Sequence, residues 1–567
     1  MFRRVGLLAA LAAAACCSRS EVKAGGGGGS AGAAGPGFTL IALAEMRGQI
    51  GPCGCTSDPL GDIARTSHLV DTLRAQGRPV LVVDAGSLLY SKVPVPAHLD
   101  AQEELKANLL AKTYKDALGV GAIGLGPMDL AKGPDKLRFP RHAINVATDA
   151  KIVVEPPKVI ELGGAKVGVF GVIATGAIAG LAITDPVAAG KRTVADLRTQ
   201  GAQIVVGLVQ AASKKDAVTL ARDIGGIDVT IAGLGATAPE PERVEVEATK
   251  VDGGWLVIPG NRGQVVSRLD ITVRPGVRPG GAPLVDAVGA GAATAKIAAL
   301  DEHIAALDAD LAKFATDPDA DKAFVTQKKA ERTQHANERE QLRTSPLAVP
   351  PTGSYFTLDQ IRVNKTLACN VAVQDNVTAY YRAAGEANVK AAAGRAVTPP
   401  AKGQAGFVGT EACADCHSDA VDFWKETRHA QAWKTLEERG QQFDFDCVSC
   451  HNTGWDQPGG SNLANNDTLR DVQCETCHGP GSIHVAQGGE ERPPMVRRMP
   501  AEKLCATQCH TKEHSDTFEL TPYLRDVTGA GHGEDLRKQL GDGPTGHQLR
   551  KAALDKAGRT LGAGCVR

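Results

Sequence analysis

Apolar residues gather along this chain in short runs bounded by glycine, proline or charge. "FTLIALA" (38–44) and "PVLVVDAGSLLY" (79–90) each predict a strand, the second ending in a turn. "AKVGVFGVI" (165–173), "AQIVVGLV" (202–209) and "DVTIAGL" (228–234) are further β-rich runs, and "KKDAVTLARDI" (214–224) predicts a helix between the last two. Strands alternating with helices in this way predict an α/β layered domain over 38–275.

A different periodicity takes over beyond "RPGVRPGGAP" (274–283), a linker by composition. Ile297, Leu300, Ile304, Leu307, Leu311 and Phe314 recur at three- and four-residue spacing, which makes an apolar seam along one helix. "TDPDAD" (316–321) breaks the seam, and a more polar helix follows over 322–343. The seam is short, so a helical hairpin within 284–345 is expected rather than a dimerising coiled coil. A strand-and-helix return segment (346–393) and a second linker, "GRAVTPPAKGQAG" (394–406), lead into a C-terminal domain at 405–567.

Bulk composition narrows the chemistry. The 567 residues leave room for several domains of roughly 100–200 residues. A net charge of -1 gives no reason to expect a nucleic-acid partner. Aromatic residues make up only 4%, thin for this length unless a non-protein group fills part of the core. Nine of the 14 cysteines lie after residue 412 and nine of the 14 histidines after residue 416. Disulfides need no histidine, so this clustering points to cofactor ligation.

The clusters themselves read "CADCH" (413–417), "CVSCH" (447–451) and "CETCH" (474–478). Two cysteines at this spacing form thioethers to the two vinyl groups of one heme, and the adjoining histidine reaches its iron. Zinc would take CxxC pairs in twos, with no need of a histidine directly after each. The expected heme attachments are therefore Cys413, Cys416 and His417; Cys447, Cys450 and His451; and Cys474, Cys477 and His478. A fourth stretch, "CATQCH", carries one residue too many between Cys505 and Cys509. The step from Cys509 to His510 is intact, so the longer loop need only bulge. Heme is expected there too, the alternative being a Cys505–Cys565 disulfide and no heme. His429, His484, His514, His532 and His547 remain as candidates for the sixth iron ligand, with Met495 and Met499 weaker. On a helix His429 would lie roughly 18 Å beyond His417 and so should cap a different heme. His514, if helical with His510, shares its face and must reach a neighbouring iron or solvent.

At the N-terminus "MFRRVGLLAALAAAACCSRS" has basic residues, an apolar run too short to span a bilayer, and small residues before Cys16. This is an export signal. Its last residues suit lipidation of Cys16, and the alternative is ordinary cleavage that leaves Cys16 and Cys17 without a role. Residues 1–37 thus read as signal and Gly-rich tether, which implies a periplasmic or cell-envelope protein anchored through lipid.

"CADCHSDAVDFWKETRHAQAWKTL", "CVSCHNTGWDQPGG" and "CETCHGPGSIHV", in this order, resemble the tetraheme cytochrome c family of the ammonia-oxidiser electron carrier over about 405–520. That resemblance implies four c-type hemes in stacked pairs, mostly ligated by two histidines, with one iron in some members left five-coordinate. It also implies electron exchange with redox partner proteins. A second implication is enzymatic: an open iron would reduce or oxidise nitrite, nitric oxide or hydroxylamine. The fourth site departs from the family, since Ala506, Thr507 and Gln508 stand where two residues are usual.

The 38–275 segment, extended by 351–390, resembles the calcineurin-type metallophosphoesterases of the 5'-nucleotidase branch, on "FTLIALAEMRGQIGPCGCTSDPLGDIARTSHLV", "VVDAGSLLY" and "GAIGLGPMDL". At the positions where that family holds two metals, this chain has Glu45 and Arg47, Ser87, Pro127 and Met128, Gln210, Leu234 and Ala236. One carboxylate beside an arginine cannot bridge two cations, so the domain is expected to be catalytically dead, with service as a docking module for a redox complex as one alternative role. "GPCGC" puts Cys53 and Cys55 on the loop that would build the metal centre. They read either as a redox dithiol or as idle thiols. Cys369 and Cys565 are open to pairing or to standing free.

Overall fold

The computed structural model describes residues 37–52, 55–274, 283–287, 290–316, 321–344, 350, 352–489, 502–558 and 560–566. The export signal with Cys16 and Cys17, the first linker, Cys53, Met495 and Met499 lie outside the described residues.

Two six-stranded sheets form the N-terminal part. Across the first, the strands run Val285–Asp286, Tyr355–Arg362, Val265–Thr272, Gly37–Leu43, Val80–Asp84 and Ala122–Ile123. Across the second they run Thr249–Val251, Gly254–Val257, Val229–Gly233, Ile204–Gln210, Ala165–Ile173 and Lys158–Leu162. Successive side chains of a strand point to opposite faces. Leu40 and Ala42 accordingly pack with Val167, Val206 and Ile231 between the sheets. Ile41 and Leu43 turn outward to a layer that includes helices Ile63–Ala75, Asp100–Asp116 and Val371–Ala392. Helices Pro186–Thr199 and Lys214–Ile224 cover the outer face of the second sheet, against Phe170, Val172, Val205 and Val209. With both faces of each sheet covered, the strands read as unbroken apolar runs rather than alternating ones. Each fully buried aliphatic side chain contributes roughly 1.5–3 kcal/mol to this four-layer stack.

Local chemistry sets the helix ends. Ser213 accepts from the Asp216 N–H at the start of Lys214–Ile224, and Gly225, at φ 70°, terminates it. Helices Ala290–Thr316 and Lys322–Thr344 pair as a hairpin, Phe314 meeting Phe324 edge-on at 5.7 Å between ring centres. Arg339 reaches Asp301 at 2.8 Å across it, and Lys296 bonds Glu247 of the α/β part at 2.7 Å.

Past residue 405 the chain changes character. Its longest helices, Ala414–Lys425 and Gly546–Ala557, have 12 residues each, and turns separate the rest. Its core is small: Trp433, Leu436, Val448 and Leu463, closed by Ala392 from the preceding helix. Near the end of the chain a disulfide joins Cys369 to Cys565, which settles the question the sequence left open for both. Cys505 is a free thiol, so the Cys505–Cys565 alternative is excluded. Among the described residues no helix is long and apolar enough to cross a membrane.

Candidate heme sites

Buried polar side chains tie the cysteine motifs together. The Glu475 carboxylate, inside "CETCH", accepts from the N–H groups of Val408 (3.0 Å), Gly409 (2.8 Å) and Gly481 (2.7 Å). It thereby joins the lead-in of the first motif to the third motif and to the turn before His484. Gln473 accepts from Thr410 N–H at 2.7 Å and donates to the carbonyls of Thr468 and Arg470. Thr453, just past the second motif, accepts from Gln473 N–H at 2.9 Å and donates to the Asp471 carbonyl. Unpaired groups at this depth would each cost about 1–3 kcal/mol, so the network holds three motifs in one arrangement. Sequence reasoning missed it because Glu475, Gln473 and Thr453 match no ligand pattern.

The thiols pair between motifs. Cys413 and Cys474 hydrogen-bond each other, with Thr410 Oγ1 3.6 Å from the Cys474 sulfur. Cys450 and Cys509 do the same, and the Cys450 thiol donates to the Gln508 carbonyl at 3.3 Å. The first motif therefore abuts the third, and the second abuts the fourth. The neighbouring thiol draws the pKa of Cys474 and Cys450 below the ordinary thiol range, to about 6 and about 7, against the effect of burial.

The imidazoles are arranged to match. An imidazole nitrogen bonds a metal at about 2.0 Å, and the ring centre lies about 1 Å behind it, so two rings facing across one ion stand roughly 6 Å apart. His417 and His484 lie 6.4 Å apart between ring centres, 21° from parallel. His429 and His510 stand at 6.2 Å. Burial, then the charge of His510, pushes His429 down to about 4, leaving the neutral ring that ligation requires. His451 directs Nδ1 at the Ala432 carbonyl, and His510 directs Nδ1 at Ser515 Oγ (3.1 Å). In both, Nε2 is left for a metal and the ring orientation is fixed from behind. His532 lies edge-on to Phe423 and close enough to His478 to feel its charge. His514 corrects the helical expectation: helix Glu502–Gln508 ends before His510, and His514 sits in a turn with Nδ1 2.8 Å from Thr511 Oγ1.

A cavity of about 2680 Å³ opens beside the second and fourth motifs, its wall including Cys447, Cys450, His451, Cys505, Cys509 and His510. A pocket for one small cofactor spans roughly 300–1000 Å³, so the space suits more than one porphyrin. Among the described residues no group of three or more His, Cys, Asp or Glu side chains converges as a bare metal ion requires. The donor set and the space fit heme.

The opposite wall of the cavity belongs to the α/β part. Cys55 is exposed there, on a loop held by Arg550, which donates to the carbonyls of Cys55 (2.6 Å) and Thr56 (2.9 Å). Asp516 accepts from Ser57 N–H at 3.1 Å. Behind this loop, buried Glu45 receives Arg47 Nε at 3.1 Å, Gln210 Nε2 at 3.1 Å and Gly235 N–H at 2.9 Å. Arg47 also bonds the Gly235 carbonyl, so its guanidinium is the cation paired with Glu45. Glu45, Arg47 and Ser87 all keep positive φ (54°, 49° and 62°), a strain of about 1–3 kcal/mol each that clusters at functional centres. Pro127, Met128, Leu234 and Ala236 offer no side-chain ligand.

Residues 412–479 match the family described as "Cytochrome c554 and c-prime". Cytochrome c-554 of Nitrosomonas europaea is 37% identical over 91 residues, which make up 13% of this chain and 39% of that relative. The chain thus spans well under half of that relative's length. Among solved structures, the 5'-nucleotidase precursor from Thermus thermophilus aligns with a TM-score of 0.41 at 16% identity, over 71% of this chain and 68% of its own. The calcineurin-like phosphoesterase YfkN from Bacillus subtilis aligns at 0.34 and 19%, over 42% and 86%. The C-terminal part is therefore similar to a c-type cytochrome family, whose members hold covalently bound heme.

Proposed function

We propose that this chain is an exported multiheme c-type cytochrome carrying electrons between redox partner proteins, with an α/β part that does not hydrolyse phosphoesters. The pairing of His417 with His484 and of His429 with His510, at 6.4 and 6.2 Å between ring centres, beside the four cysteine motifs carries the reading. Four hemes are proposed. Cys413 and Cys416 would hold the first, with His417 and His484 as its ligands. Cys447 and Cys450 would hold the second, with His451. Cys474 and Cys477 would hold the third, with His478 and the nearby His532. Cys505 and Cys509 would hold the fourth, with His510 and His429. This assignment uses neither His514 nor His547.

Bound heme supplies one-electron chemistry at an iron whose potential follows its ligands and surroundings. The chain's own contribution is geometric. Ala432 and Ser515 orient two of the imidazoles, Glu475 joins the first motif to the third, and the α/β part forms one wall of the cavity. The closeness of Cys413 to Cys474 and of Cys450 to Cys509 would place hemes held on these motifs near one another, as serial transfer requires. Arg47 neutralises the one carboxylate left from a phosphoesterase-like centre, which supports loss of that activity. The N-terminal signal and Cys16 support export with lipid anchoring at the cell envelope.

Spectroscopy of the heme-loaded protein tests this. Four heme masses per chain are expected, with low-spin, two-imidazole signals from three hemes and a separate signal from the one on His451. A reduced protein dominated by high-spin iron that binds carbon monoxide or nitric oxide would instead support an enzyme acting on a small nitrogen compound.

A further inference from the structure

Where the α/β part meets the second motif, four charged side chains are crowded together, three of them out of solvent. Glu103 and Lys106 come from helix Asp100–Asp116, and Asp444 and Asp446 from the segment just before Cys447. Lys106 Nζ lies 3.0 Å from Glu103 Oε1 and also bonds Asp446. Gln102 Nε2 donates to Asp444 Oδ1 at 2.8 Å and to Asp446 Oδ2 at 3.2 Å. Gln102 Oε1 in turn accepts from Asn388 Nδ2 (2.8 Å) and Phe445 N–H (3.1 Å). Asp444 is bonded into the heme-bearing turn itself: its carbonyl accepts from Cys447 and Val448 N–H, both at 3.0 Å. Glu103, Lys106 and Asp444 are 0%, 5% and 5% exposed.

Two buried carboxylates, Glu103 and Asp444, share the one buried ammonium of Lys106, while Asp446 at the cavity edge has Lys92 near it. A buried excess of negative charge is unstable, so near neutrality one carboxylate tends to hold a proton. Glu103 is paired with Lys106 and accepts Ser91 N–H at 2.8 Å. Asp446 is also paired with Lys106 and opens to the cavity, with 43% of its side chain exposed. Asp444 is the remaining one. Burial, then the charge of Asp446, pushes it up to about 6 against the pull of Lys106. Tyr380 and Tyr381 of helix Val371–Ala392, Cys447 and Cys55, Lys92 near Asp446, and His98 edge-on to Phe445 complete the titratable surroundings. Of these only Lys92 and Lys106 carry a fixed positive charge.

We propose that Asp444 is a redox-linked proton site, taking up a proton when the heme on Cys447, Cys450 and His451 is reduced and releasing it on oxidation. This rests on the assignment of heme to that motif. As an electron from the redox partner converts the adjacent iron from ferric to ferrous, the site loses one unit of positive charge. The Asp444 carboxylate then binds one proton from water, which enters past Asp446, and becomes a carboxylic acid. The added charge is cancelled. Linkage makes the effect reciprocal: protonating Asp444 raises the potential of that heme. The α/β part thereby acts on electron transfer, since it supplies Glu103, Lys106 and Gln102.

A mediated redox titration of the full heme-loaded chain tests this across about pH 5–9. Heme content and attachment at Cys447 and Cys450 are measured first by mass. A chain without that heme overturns the functional assignment itself. With the heme present, one component should fall in potential as pH rises above about 6, approaching the 59 mV per pH unit of one proton per electron. Asp444→Asn should flatten that component. Asp446→Asn, which keeps Asp444 but removes its neighbour's charge, should move the slope to lower pH. An unchanged slope in Asp444→Asn overturns the inference while the heme assignment stands. Should Asp444→Asn fail to fold, an unmoved slope in Asp446→Asn overturns it equally.

Discussion

His429 and His510 stand 6.2 Å apart between ring centres, although one follows the first cysteine motif and the other closes the last. On the proposed assignment the pair would commit the two ends of the heme segment to one iron. His429→Ala should convert one heme from low-spin to high-spin while total heme content is retained. His484→Ala should convert a different one, and the double variant two. Magnetic circular dichroism counts the high-spin irons. No change in either single variant would break the axial assignment.

The fourth motif should load heme despite its extra residue. Cys505 and Cys509 are both free thiols, and Cys565 is already engaged with Cys369. Intact-mass analysis should find four hemes on the wild-type chain and three on Cys505→Ser/Cys509→Ser. Three hemes on the wild type would refute it.

Glu45→Ala should destabilise the α/β part by roughly 3 kcal/mol, because it strands the Arg47 guanidinium in a largely buried site. Urea unfolding gives that value. Phosphomonoester hydrolysis with added manganese should be at background in both proteins. Turnover in the wild type that disappears in the variant would contradict the loss of activity.

Asp84 gives a pH dependence. Burial pushes its carboxyl up to about 7 although Tyr114 Oη (2.6 Å) and Gly86 N–H (2.7 Å) donate to it. The folded state thus keeps a proton that the unfolded chain releases near 3.8. Stability should therefore fall as pH rises from about 4 to 7 and level off above. Asp84→Asn should remove this contribution and stabilise the protein at pH 8 by on the order of a few kcal/mol. Thermal melts against pH decide, and a variant with the wild-type slope would exclude Asp84.

Local signals carried far into this fold. The run at 165–173 became a strand with those bounds because both faces of its sheet are covered, and the helix at 214–224 followed its cap. Attachment motifs are equally local, since two thioethers and one imidazole fit in five residues. Which imidazole faces which was not legible, because His484 and His429 reach their partners through turns that no periodicity describes. Nor was the charge cluster: Lys106 lies on an ordinary-looking helix and gains its meaning only when Asp446 arrives from the far side of the hairpin and both linkers. His514 misled because four-residue spacing suggested a helix, whereas the chain turns after Cys509.

The bridge between Cys369 and Cys565, 196 residues apart, makes the whole cytochrome segment a covalent ring whose clasp lies on the α/β body. Cys565 follows every attachment motif, so the ring cannot shut until the last of them has emerged from synthesis. Thioether formation needs reduced thiols and the clasp needs oxidation, so with hemes on the proposed motifs, loading and closure would make opposite redox demands on one chain. Any heme attached before closure would be enclosed by the ring once Cys565 meets Cys369.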